Sequence, residues 1–369
     1  MRKTVEKSSA LRRQLLPRAT ALSQLVELSP AYFGMVMATG IVSLAAHLLN
    51  LSLIAQILFQ LNIIAYAALC ILSILHMVLF PRRFFGDMID HVRGPRYFTA
   101  VAATGILGGQ FVILTANYHI AVILWAATLA LWLGLTYTIF TGLTVKEKKP
   151  SLEAGINGTW LLAVVATQSI AALSALLAAY VSPQVNLPMN FFALSMWLWG
   201  GMLYIWMMSL IFYRYTFFAL SPNDLSPSYW INMGAMAIST LAGSLLIANA
   251  PSTPLLASLL PFIKGVTVFY WAAGTWWIPM LVTLGVWRYG YKRFQKKYDP
   301  LYWSVVFPLG MYTVSTERMG AALELDFLSF LPPIFFIIAL GAWSIAFVGF
   351  ILDLFRCVAA FKSVHLDRG

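Results

Sequence analysis

The polar side chains that could do chemistry in this chain lie inside long apolar runs, and nearly all of them are neutral. The run at 30–49 holds Pro30, Gly34, Thr39, Gly40 and Ser43, and the run at 97–115 holds Thr99, Thr104, Gly105, Gly108, Gly109 and Gln110. The run at 160–181 carries Thr167, Gln168, Ser169 and Ser174, and that at 230–249 carries Asn232, Gly234, Ser239, Thr240, Gly243 and Ser244. The run at 301–318 adds Ser304, Pro308, Gly310, Tyr312, Thr313, Ser315 and Thr316. Hydroxyls, amides and backbone groups freed at Pro and Gly can solvate an anion that has shed part of its water. None of the 13 Asp and Glu falls in the middle of a run. Cation pores and proton relays place carboxylates at membrane depth, so a neutral lining points to anions, although it would also suit uncharged solutes.

Nothing comparable argues for catalysis. His47, His76 and His119 are isolated, and Cys70 and Cys357 read as small apolar filler. No His-x-x-His, Cys-x-x-Cys or Ser/His/Asp pattern is present. The stretch Asp87–His91 is where a lipid-directed enzyme would have to be sought. Lys264 reads as a cation snorkelling to the interface, Glu317 and Arg318 as an ion pair or an anion-collecting pair at the outer mouth, and Asp353 with Arg356 as an interfacial pair. The expectation is a protein that is not an enzyme and uses no cofactor and no metal.

The elements that must position these residues follow from charge and hydropathy. Hydrophobic residues make up 60% of the chain, charged residues 10%, and mean hydropathy is +0.80, outside the range of soluble domains. A span needs about 20 apolar residues, which predicts helices near 30–49, 53–79, 97–115, 119–143, 160–181, 190–219, 230–249, 256–288, 301–318 and 328–355. All but Lys264 and Arg318 of the 24 Lys and Arg lie in every second gap: 1–29, 80–96, 144–159, the stretch around Arg214, 288–300 and the tail. Cytoplasmic loops keep Lys and Arg while translocated loops lose them. The chain is therefore expected to cross the inner (cell) membrane ten times with both termini in the cytoplasm. Its expected parts are a cytoplasmic segment 1–29, a membrane domain 30–356 and a tail 357–369, with no cleavable leader and Leu22–Leu28 as an interfacial lead-in. The net charge of +11 is spread over six short loops, which suits anionic membrane lipids rather than nucleic acid.

The predicted fold is all-α, with five parallel helical hairpins. The first, third, fifth, seventh and ninth helices carry the glycines, prolines and hydroxyls. The even ones hold most large aromatics: Trp125, Trp132, Trp197, Trp199, Trp206, Trp271, Trp276 and Trp277. Small residues allow close helix approach, and bulky amphipathic rings suit lipid contact. The odd helices are thus expected to form an inner ring around a narrow pore and the even helices an outer ring. The same bias would also arise from helix packing with no aqueous path.

Leu-Ser-Pro-Ala-Tyr-Phe-Gly-Met (28–35) and Tyr-Trp-Ser-Val-Val-Phe-Pro-Leu-Gly-Met (302–311), together with Gly-Thr-Trp-Trp-Ile-Pro (274–279), resemble the tellurite-resistance/dicarboxylate transporter family. That family includes fungal malic-acid permeases, sulfite efflux pumps and plant slow anion channels, and the resemblance covers about residues 25–356. It implies a homotrimer in which each protomer has its own pore, plugged by a phenylalanine on the ninth span. By that likeness Phe307, before the helix-kinking Pro308, is the gate. The pore-lining candidates are Phe33, Gly34, Thr39, Thr104, Gly108, Gly109, Thr167, Ser239, Gly243, Gly310 and Thr313. The permeant would be a small inorganic or organic anion. The alternative is a proton-coupled carrier for C4-dicarboxylate, sulfite or tellurite oxyanions, with His47 and His76 as its titratable candidates.

Overall fold

In lipid every backbone N–H and C=O must find a partner within the protein, so apolar runs of this length fold as helices. The computed structural model describes residues 25–294 and 298–366, with the backbone alone for 357–366. The basic residues Arg2 to Arg18, Lys296, Lys297 and Arg368, the first three residues of the Leu22–Leu28 lead-in, and the side chains of Cys357 and Lys362 lie outside the described residues. Among the described residues there is helix and no strand. The long helices are α1 (Phe33–Leu48), α2 (Ser52–Leu79), α3 (Phe98–Thr115), α4 (Tyr118–Val145), α5 (Leu162–Ala178), α6 (Pro183–Phe217), α7 (Ile231–Asn249), α8 (Leu260–Val286), α9 (Trp303–Leu323) and α10 (Leu331–Leu366).

Eight of these, all but α8 and α9, are apolar and long enough to cross a membrane. The two that fall short are long enough but less apolar. Tryptophan, tyrosine and threonine dilute α8, and hydroxyls with Glu317 and Arg318 dilute α9. Helix α9 also runs to Leu323, past the expected end at 318, and stops where Glu324 turns left-handed at φ 58°.

The odd helices pack in a closed cycle, α1 on α3, α3 on α5, α5 on α7, α7 on α9 and α9 on α1. Each even helix then rests on two of them: α2 on α1 and α3, α4 on α3 and α5, α6 on α5 and α7, α8 on α7 and α9, α10 on α9 and α1. Burial follows the same division, with 94% of the apolar window of α5 buried against 17% for α10.

A polar contact ties each outer helix to the next inner one. Trp132 Nε1 on α4 donates to Thr167 Oγ1 on α5 at 2.9 Å, and Trp271 Nε1 on α8 donates to Thr316 Oγ1 on α9 at 3.0 Å. Trp343 Nε1 on α10 donates to Thr39 Oγ1 on α1 at 2.9 Å, and Trp197 Nε1 on α6 donates to the Ser239 carbonyl on α7 at 2.8 Å. Tyr66 Oη on α2 and Thr104 Oγ1 on α3 are 2.9 Å apart, completing the set. In an apolar surrounding these bonds orient each outer helix without a charge. A double-mutant cycle of Trp132→Phe with Thr167→Val is expected to give a coupling of about 0.6 kcal/mol, a typical interhelical value in membranes. The cycle is read from unfolding in detergent, and a coupling of zero would remove the bond from the account.

Candidate functional site

Each inner helix begins with a tight 3-10 turn: Pro30–Tyr32, Gly94–Tyr97, Gly158–Leu161, Pro227–Trp230 and Pro300–Tyr302. Pro at the start of four of them needs no N–H partner and presets φ for a helix. Ser29, Asn157 and Asp299 cap three, accepting from the N–H groups of Ala31, Thr159 and Leu301. The turns touch one another in the same cyclic order as the helices. Five helix N-termini, each with partial positive charge, are thereby gathered at the end of the bundle that carries the basic loops.

Beside that ring lies a cavity of about 210 Å³ whose lining includes Arg96, Glu153, Asn157, Arg214, Asp224 and Tyr229. Arg214 is only 4% exposed. Its Nε donates to the Glu153 carbonyl at 3.0 Å, and its Nη2 lies 3.7 Å from Asp224 Oδ2. Arg214 Nη1, Arg96 Nε and Tyr229 Oη are buried with no hydrogen-bond partner among the described residues. Burial raises the Asp224 pKa, but hydrogen bonds from Ser221 and the neighbouring Arg214 outweigh it and leave the carboxyl below its ordinary value. Asp224 is therefore ionised at neutral pH, and Glu153 adds a second carboxylate to the lining, so the two acids match the two guanidinium groups in formal charge. The donors left over on Arg96, Arg214 and Tyr229 are buried beside this vestibule. Sequence reasoning counted Arg96 and Arg214 only as topology markers. The signal was a lone Arg inside the aromatic run Phe212-Tyr213-Arg214-Tyr215, and an Arg one residue after Gly94-Pro95.

Phe307 and Pro308 lie within α9, and Phe307 is fully buried. Pro308 packs on α7 so closely that a Cβ on Gly234 would meet its Cγ at 2.7 Å. Gly34 faces Trp303 across the α1–α9 seam, and Gly310 faces Ile41 and Val42 on the same seam. The other candidates sit elsewhere. Thr39, Thr104 and Thr167 direct their hydroxyls to outer-helix partners, Trp343, Tyr66 and Trp132. Phe33 sets its ring edge-on to Tyr66 at 6.2 Å. Gly108 packs on Leu173 and Leu124, Gly243 on Trp197 and Thr267, and Gly109 only loosely on Leu176. The Ser239 hydroxyl donates to Ala235 O and the Thr313 hydroxyl to Leu309 O, both within their own helices.

Several other ionisable residues have local partners. Asp87 pairs with Arg83 and Arg93, and Asp90 accepts from the N–H groups of Val92 and Arg93, so the Asp87–His91 stretch is a turn held by its own carboxylates. His76 is buried on α2 against Phe84, and His47 ends α1. Among the described residues no cluster of His, Cys, Asp and Glu could hold a metal.

A model of the voltage-dependent anion channel family matches residues 27–351. Over 295 residues the chain is 25% identical to an "uncharacterized transporter" of Methanocaldococcus jannaschii, covering 78% of this chain and 83% of that one. A second transporter of that organism, also uncharacterized by name, is 24% identical over 78% of this chain and 82% of its own. An "uncharacterized membrane protein" of Mycobacterium tuberculosis (strain H37Rv) is 39% identical over 148 residues, 40% of this chain and 74% of that protein.

Proposed function

The chain belongs to the voltage-dependent anion channel family, which comprises membrane channels and transporters rather than enzymes, and from that premise we propose that it is an anion channel gated by Phe307. The observation that carries this reading is the closed cycle of five buried helices with a fully buried phenylalanine on the ninth. A ring across a narrow path excludes water, and an ion cannot cross a dewetted constriction. The path runs along the axis of α1, α3, α5, α7 and α9. Its cytoplasmic mouth is the ring of turns, where helix N-termini, Arg96 and Arg214 concentrate anions.

The pairing of each inner helix with the outer helix that follows it supports ten crossings as five parallel hairpins, with the less apolar α9 buried among its neighbours. The basic loops support a reading with both termini in the cytoplasm and the protein in the cell membrane. The permeants are small inorganic or organic anions, and a homotrimer with one pore per protomer is the assembly. Thr39, Thr104 and Thr167 hold the outer helices in place, so the axis is lined by other faces of α1, α3 and α5.

The test is the reversal potential of purified protein in a planar bilayer under a potassium chloride gradient at equal pH. Current reversing at the chloride equilibrium potential supports a channel. No current, with uptake of malate or sulfite into liposomes that collapses with the proton gradient, supports the coupled carrier instead. Arg214→Gln is expected to lower conductance several-fold at low salt and less at high salt, because screening shortens the reach of the positive charge it removes. A reduction independent of salt would remove Arg214 from anion capture.

A further inference from the structure

Near the basic-loop end of the bundle, a fissure of about 660 Å³ opens between α8 and α10. Its walls are apolar, including Leu281 and Gly285 on α8 and Ile345 and Ala346 on α10, and Val305 and Val306 of α9 contribute to its lining. At the end of α8 the chain makes a π-helical turn, Trp287–Tyr291, which places Arg288 in the fissure. Such turns reposition one side chain relative to a regular helix.

Arg288 is 7% exposed. Its Nη1 donates to Tyr289 Oη at 3.1 Å, and its guanidinium carbon sits 4.2 Å over the Phe294 ring. Its Nε is buried without a hydrogen-bond partner, and among the described residues no carboxylate lies within ion-pair distance. A buried cation that lacks a counter-ion is costly unless something else supplies the charge. Rings stacked on it supply only part of what water gave. An apolar slot ending in an uncompensated guanidinium at headgroup level has the two-part character of an anionic phospholipid.

We propose that this fissure binds an anionic phospholipid of the leaflet facing the basic loops, its phosphate on Arg288 and an acyl chain along α8 and α10 against Val305 and Val306. The charge complementarity argues for this occupant over a neutral lipid. The chain would then touch α9 next to Phe307, so lipid occupancy bears directly on the gate helix.

The test uses the full chain, delipidated in detergent, by native mass spectrometry with phosphatidylglycerol, phosphatidylcholine and inorganic phosphate as probes. The wild type is expected to retain phosphatidylglycerol several-fold better than phosphatidylcholine, and Arg288→Gln to lose that preference. Gly285 lines the fissure and a Cβ there meets nothing within 4 Å, so the position accepts a side chain and Gly285→Phe is the variant chosen to fill the fissure. That variant is expected to lose retention of both lipids, while Gly285→Ala retains them. Unchanged phosphatidylglycerol retention in both Arg288→Gln and Gly285→Phe would overturn the proposal. So would equal competition by inorganic phosphate, which would leave a free-anion site. A shift of oligomeric state in Gly285→Phe with lipid retention intact would assign the fissure to a second copy of the chain.

Discussion

Phe307→Ala is expected to raise anion conductance several-fold in planar bilayers while lowering stability little. Truncating a buried phenylalanine in an ordinary core costs about 3–5 kcal/mol, because the vacated space stays empty. A phenylalanine that plugs a pore differs, since water and permeant ions can fill the space it leaves. Phe98 provides the comparison. It is equally buried on α3 and packs on Phe140 of α4, facing away from the proposed axis. Phe98→Ala should therefore shorten the half-life of monodisperse protein at elevated temperature without opening a current. The gate assignment fails if Phe307→Ala is folded and conducts no better than the wild type. It fails equally if Phe307→Ala and Phe98→Ala lose the same stability. Pro308 explains how the gate could move: it removes one backbone hydrogen bond from α9 and rests against Gly234, so the helix can flex beside the ring.

Gly158→Ala carries the second large effect, and it is structural. A Cβ at Gly158 would land 2.6 Å from the Ser228 carbonyl carbon and 2.7 Å from the Tyr229 nitrogen. Both are backbone atoms of the next turn in the ring, so no rotamer change relieves the clash. The glycine is demanded by that approach, since its φ is not positive. Forcing two turns apart should cost about 1–3 kcal/mol and displace Tyr229 and the vestibule with it. We expect Gly158→Ala to lose most of its heat resistance in detergent and to reduce current in a Phe307→Ala background. Gly134→Ala on α4 is the control, because a Cβ there meets nothing and glycine in a helix is worse than alanine by about 0.5–1 kcal/mol. Gly158→Ala as stable as Gly134→Ala would mean that the turns do not bear on one another.

The chain itself determined most of the architecture, because lipid leaves so few options. Apolar length had to become helix, and the alternating basic gaps carry the direction proposed for each. The helix bounds expected near 97–115 and 230–249 are found at Phe98–Thr115 and Ile231–Asn249. The contrast between small-residue and aromatic helices anticipated which would be buried, since burial and close approach select for residue size. The family too was legible, in the Pro-x-x-Phe-Gly and Phe-Pro segments.

What only the tertiary structure decided was azimuth and convergence. Composition tells that Thr39 is on a buried helix, but its direction depends on Trp343, 304 residues away. The hydroxyls of Thr39, Thr104 and Thr167 looked like solvation for an ion, and the folded chain turns them to outer-helix rings. Arg96 and Arg214 looked like two loop charges, and the packing of four turns brings them to one cavity. A periodic pattern fixes which residues share a helix face, but which neighbour that face meets is set by the closure of the whole ring.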